Sequence, residues 1–236
     1  MFAARALLVL ALLWAPDREQ DWQTLRDSKD VQARVAAAKA IVKDALALGE
    51  CGKVAAELLD LATKPTTPAP VRNGIAQALA GCSDAETAKQ LTLRIGGGQE
   101  FEKLFLLQAA QGCVDEALDR AVRERLFTDK HAAVRAAALA LLVRHRSVAS
   151  VPAFEALLRE QRDTELLAPT LQALASLRRG TPEWPAFEER LVEFTRHKLS
   201  VLRVAALAEL AKESDVSREV GAHAAPPDGD LSLIHI

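Results

Sequence analysis

The 236-residue chain has no tyrosine, a single methionine, and aromatic residues at only 4% of positions. A β-sandwich or barrel leans on aromatic and β-branched residues, so this poverty argues against one. Charge of one sign is missing as well. Thirty Lys and Arg stand against 32 Asp and Glu, a formal net charge of −2. No electrostatic case for nucleic acid follows, and a basic DNA-binding helical repeat is disfavoured. Catalytic and cofactor motifs are also wanting: there is no G-x-S-x-G, no Walker-type loop, no G-x-G-x-x-G and no H-E-x-x-H. The triplet Gly96-Gly97-Gly98 has no strand before it and reads as a break between helices, not a phosphate cradle.

What is present is alanine and leucine, in a chain 50% hydrophobic and 26% charged. That composition can bury a sizeable core. The stretch Asp129–His145 shows how. Val134, Ala137, Ala138, Leu141 and Leu142 follow the i, i+3, i+4, i+7, i+8 spacing of one helical face. Asp129 stands near the start to favour its N-terminal amides. With Arg135 as marker, the pattern recurs at Arg34, Arg72, Lys103, Leu167 and Arg203, at spacings of 38, 31, 32, 32 and 36. Gln77, Gln108 and Gln172 share one offset from it. A period in the thirties with two helical runs per period signals a helical solenoid.

These residues resemble the short bacterial HEAT-like repeats, in which a V-R-x-A-A-x-x-A-L helix precedes a turn and a second helix. The resemblance covers Asp27 to Glu213 and is closest at Arg72, Arg135 and Arg203. It implies an all-α, right-handed α-solenoid of about five to six helix pairs, here five full pairs and a sixth begun. In such a family it implies a protein-binding surface and no reaction. Ala138 and Ala206, three residues past their markers, are expected at buried helix contacts.

Taken in order, residues 1–16 read as a signal peptide: Arg5, then an apolar run to Trp14 that is short for a membrane span. That places the protein in the periplasm or cell envelope; the alternative is a buried or uncleaved hydrophobic N-terminus on a cytoplasmic protein. Beyond this segment no membrane span is expected. Residues 17–213 form the repeat region, with helices expected at Asp30–Leu48, Lys53–Thr63, Arg72–Ala80, Asp84–Ile95, Phe101–Gln111, Asp115–Phe127, Ala133–Arg144, Val151–Arg162, Leu166–Leu177, Trp184–His197 and Val201–Lys212. Proline and glycine are expected at the joints and not within helices, as in the stiff loop Lys64–Pro70. Leu202, Leu207 and Leu210 should be left partly bare at the last helix.

Residues 214–230 read as a linker ending in Pro226-Pro227-Asp228-Gly229-Asp230. The last six, Leu231–Ile236, spell LSLIHI, which CTG-TCT-CTT-ATA-CAC-ATC encodes. That resembles a transposase mosaic-end adapter used in sequencing libraries, so 231–236 reads as a non-native tail on a protein continuing past Asp230.

Candidate sites are few. Cys51, Cys82 and Cys113 are 31 and 31 apart, unlike clustered metal ligands. One helix layer is about 8–10 Å, beyond disulfide reach, so the three read as small buried residues recurring at a helix end. An odd cysteine count in an exported protein also leaves room for a free thiol. His131, His145, His197, His223 and His235 are scattered, and His131 and His197 near repeat junctions read as ordinary hydrogen-bonding residues. The sequence points to no metal and no cofactor. The marker cations form either a basic ladder for an acidic partner or a set of pairs with acids and carbonyls of adjacent repeats; the second is favoured, since arginine suits partly buried pairs.

On the second helices Lys89 aligns with Arg120, and Thr92 with Arg123, Glu155 and Glu188. Lys89, Arg120, Arg123, Glu155 and Glu188 are thus the candidate partner-binding face, and the change of sign along it indicates no single-charge ligand. The reading is a noncatalytic protein-binding scaffold, the N-terminal part of a larger exported bacterial protein, with no enzyme activity of its own and an unidentified protein as partner. The alternatives are a solenoid that positions substrate for a catalytic or adhesive domain beyond Asp230, and a phycobilin-lyase-like repeat protein, against which the leader counts.

Overall fold

A computed structural model describes residues 18–161 and 163–224, and side chains within them except 126–128 and 213–224. The leader expected at 1–16 and the tail at 231–236 lie outside the described residues, as do residues 225–230 of the expected linker. The described residues are helical without a strand. A first helix, α1, covers 18–27 and buries Trp22 and Leu25. There follow α2 (Val31–Leu48), α3 (Cys51–Ala62), α4 (Ala69–Leu79), α5 (Ala85–Arg94), α6 (Glu100–Ala109), α7 (Glu116–Thr128) and α8 (Ala132–Arg144). After these come α9 (Val151–Glu160), α10 (Thr164–Arg178), α11 (Trp184–Phe194) and α12 (Ser200–Ala224).

The helix ends follow from local chemistry. Asp30 caps α2 by accepting from the Gln32 amide at 2.8 Å, and Gly49 closes it at φ 67°, a conformation that costs glycine nothing. Asp84 and Asp115 cap α5 and α7 by accepting from the amides of Thr87 and Leu118, each at 2.9 Å. At the start of α6, Glu102 accepts from the Gln99 amide at 2.5 Å.

The chain divides into two compact units after Ser150. In the first, α2, α4, α6 and α8 pack each on the next, and α3, α5 and α7 do likewise. Among successive helices there, α7 and α8 make the broadest contact. Small residues set these distances: Ala138 is fully buried at 0% exposure, as expected. In the second unit α10 packs on α9 and α12, and α11 on α12, with Phe154, Phe187 and Leu191 in the core. Ala206 is buried there.

Three expectations need correcting. The helix after Val201 does not give way to a linker at 214: α12 runs on to Ala224. The sequence through that stretch has no proline before Pro226, so nothing in it breaks the amide ladder. Breakers are not confined to the joints either. Pro169 lies inside α10, where the carbonyl it leaves without a donor belongs to exposed Glu165 in the first turn and can be hydrated. Gly74 lies inside α4, where a Cβ would meet Val35 of α2 at 2.9 Å. Lastly, Leu202 is fully buried while Leu207 is 56% exposed.

Candidate functional site

The marker cations are mostly spent on internal bonds. Arg34 donates to the Leu25 carbonyl at 2.7 Å, Arg135 to that of Asp129 at 2.8 Å, and Arg203 to that of His197 at 2.9 Å. In each, the arginine at a helix start ties down the end of the preceding helix. Lys103 instead reaches forward to Asp129 at 2.6 Å. Asp129 is buried, which opposes its charge. The Lys103 ammonium and the His131 amide outweigh that burial and hold the carboxyl below its usual range.

Arg72 departs from the pattern. Its guanidinium stacks over the Phe101 ring, 4.3 Å from the centroid. It faces an open hollow of about 560 Å³ lined by Pro65, Gly98, Gln99, Phe101 and Glu102. Among the described residues no carboxylate forms an ion pair with it.

Of the predicted face, Lys89, Arg120 and Arg123 belong to the first unit and Glu155 and Glu188 to the second. Lys89 and Arg120 are well exposed on α5 and α7, each beside an acid of its own helix, Glu86 at 3.5 Å and Glu116 at 3.6 Å. Such pairs hold a side chain only weakly. Arg123 turns inward towards the Ser150 hydroxyl at 3.4 Å. In the second unit, Glu155 receives Arg178 at 2.5 Å and Arg190 at 3.0 Å, both of whose guanidinium groups also lie over the Phe187 ring. Glu188 is half-buried on α11.

The largest difference from the sequence reading concerns the cysteines. All three are free and buried, as expected of small core residues. Yet the one-layer separation does not hold for their side chains. The sulfurs of Cys51 and Cys82 and a carboxylate oxygen of Asp84 all lie within 4.8 Å of one another. Cys51 opens α3, whereas Cys82 sits in the turn before α5, so the two thiols approach from different local geometries. The start of α3 is pressed on the start of α5: a Cβ on Gly52 would meet Glu86 at 2.5 Å and Asp84 at 2.8 Å. Cys113 donates to the Cys82 carbonyl at 3.0 Å. Burial raises the Cys51 and Cys82 thiols and pushes Cys113 up to about 12, with the Asp84 charge adding to it.

His145 stands 32 residues beyond Cys113, at the same place in the repeat. Its Nδ1 lies 2.7 Å from Asp119 and its Nε2 3.1 Å from the Ala110 carbonyl. The ring thus bridges a carboxyl group on one helix and a backbone carbonyl at the end of another. Its side chain is fully buried. The role parallels that of Cys113: a side chain carried in from the next repeat meets a carbonyl at or just past the end of a first helix. His131 bonds Glu100 at 3.1 Å, and His197 accepts from the Leu199 amide at 3.2 Å.

No family model matches the chain, and no curated protein does. Among solved structures it is similar to an engineered protein crystallised by the Northeast Structural Genomics Consortium. That match has 18% identity and a TM-score of 0.48, and covers 83% of this chain and 95% of that one. A likeness at that level carries no argument about fold or role.

Proposed function

We propose that the chain is a HEAT-like α-solenoid module that binds another protein and performs no chemistry of its own. The observation that supports this best is the layering in the first unit, where each first helix packs on the next first helix and each second helix on the next second. Stacked pairs of that kind present extended faces on which a partner can lie without any catalytic constellation. The Arg72–Phe101 hollow is the contact point favoured within this reading. An arginine held flat on a ring keeps its donors directed outward and loses little freedom when a partner carboxylate arrives.

Site-specific photo-crosslinking in the native host tests it. A photoreactive residue at Gln99 should give a discrete protein adduct, and Arg72→Glu should suppress it. Residues at Lys89 and Arg120 report the opposite choice of face. Adducts that ignore Arg72→Glu would contradict the hollow, and no adduct from any of the three positions would contradict a partner-binding role.

A further inference from the structure

We propose that Cys51, Cys82 and Asp84 form a binding site for a thiophilic d10 cation of the zinc class, which clips the start of α3 to the turn before α5. Two sulfurs and an oxygen already stand within 4.8 Å of one another. Around a tetrahedral ion, with Zn–S about 2.3 Å and Zn–O about 2.0 Å, the ligand atoms are about 3.5–3.8 Å apart, so the side chains need to close by about 1.3 Å at most. The carboxylate is oriented in advance. Asp84 accepts from the Thr87 amide at 2.9 Å and the Thr87 hydroxyl at 2.7 Å, which leaves lone pairs on both oxygens for an ion. The close seat of Gly52 against Asp84 and Glu86 fixes the two elements relative to each other.

The surroundings favour a cation over thiol redox chemistry. Exchange and oxidation need an accessible thiolate, and both cysteine side chains are buried. As two metal–sulfur bonds form, Cys51 and Cys82 each release a proton to solvent. The ion's two positive charges then offset two of the three negative charges on the ligands. A water fills the fourth position. Cys113 stays outside the set, committed to the Cys82 carbonyl. The ion would be structural, tying together the first two layers of the first unit.

The test is titration of the reduced full chain with Zn(II) against a chromophoric chelator, and with Cd(II) followed by thiolate-to-metal charge transfer. One equivalent should bind, with charge-transfer intensity for two thiolates. Cys51→Ser and Cys82→Ser should each weaken binding at least about a hundredfold, and Asp84→Asn, which keeps the helix cap, about tenfold. Cys113→Ser should bind as the parent does. Cys51→Ala serves where a buried serine disturbs folding, and circular dichroism checks each variant. Charge transfer for fewer or more than two thiolates, equal loss in Cys113→Ser, or binding no tighter than that of a Cys51→Ser/Cys82→Ser double variant would overturn the site. So would formation of a Cys51–Cys82 disulfide by peroxide in a protein that takes up no zinc.

Discussion

Gly81 and Gly112 precede Cys82 and Cys113 by one residue, in turns that the sequence makes equivalent, yet a methyl group at the two should behave oppositely. At Gly112 the added Cβ would stand 2.2 Å from the Ala80 carbonyl oxygen and 3.0 Å from that of Cys82. Both are backbone atoms, so no rotamer change relieves the clash, and the turn must retreat by about 1 Å from the end of α4. Overpacking of that kind costs about 1–3 kcal/mol. Lower entropy of the unfolded chain returns about 0.4–1 kcal/mol. The net expectation for Gly112→Ala is a loss of about 1–2 kcal/mol, or about 2–8 °C in melting midpoint for a chain this size.

At Gly81 the nearest atoms are the Ala78 carbonyl oxygen at 3.4 Å and the Leu46 Cδ1 at 3.6 Å, ordinary contacts. Gly81→Ala should therefore be neutral or stabilising by up to about 1 kcal/mol. Urea melts followed by far-ultraviolet circular dichroism measure both. Equal changes in the two variants, or a larger loss at Gly81, would refute the packing of the turn at 110–112 against the end of α4.

Other substitutions probe the remaining layers. Ala138→Leu forces a branched side chain into a fully buried helix contact and should cost about 1–3 kcal/mol in the same melts. His145→Ala leaves buried Asp119 and the Ala110 carbonyl without this partner and should cost several kcal/mol, at about 1–3 kcal/mol for each buried polar group left unsatisfied. Asp129 has its carboxyl lowered by Lys103, so its stabilisation is full above the ordinary aspartate range and is lost as pH falls through the lowered value. The stability gap between the parent and Lys103→Met should accordingly be widest near neutral pH and shrink on acidification; a gap that does not change with pH contradicts the pairing.

Much of the helix layout was legible because it rests on local chemistry. Asp30 and Gly49 bracket α2 as their residue types require, and Asp84 and Asp115 cap their helices. The inward use of the marker arginines was legible too, since a guanidinium at a helix start lies within reach of the preceding helix end. Two features were hidden for one reason. Period arithmetic places helices, not side chains, and it assigned the cysteines one layer's separation. Cys51 entering from a helix start and Cys82 from a turn reversed that result. The signal for His145 was available in the series 51, 82, 113 and 145, which keeps the repeat spacing while exchanging thiol for imidazole. Arg72 was read like its neighbours, and only the position of Phe101 after the glycine triplet sets it apart.

Layered stacking of equivalent helices is the claim on which the rest depends, and pulsed electron–electron resonance between spin labels at Asn73 on α4 and Ala136 on α8 tests it directly. Both positions are exposed, one residue past their markers, and α6 lies between their helices. Two interhelical steps of 8–10 Å place the labelled backbones about 16–20 Å apart, so a narrow distribution in that range, widened only by the label arms, is expected. A broad distribution, or one centred beyond about 30 Å, would contradict the stack.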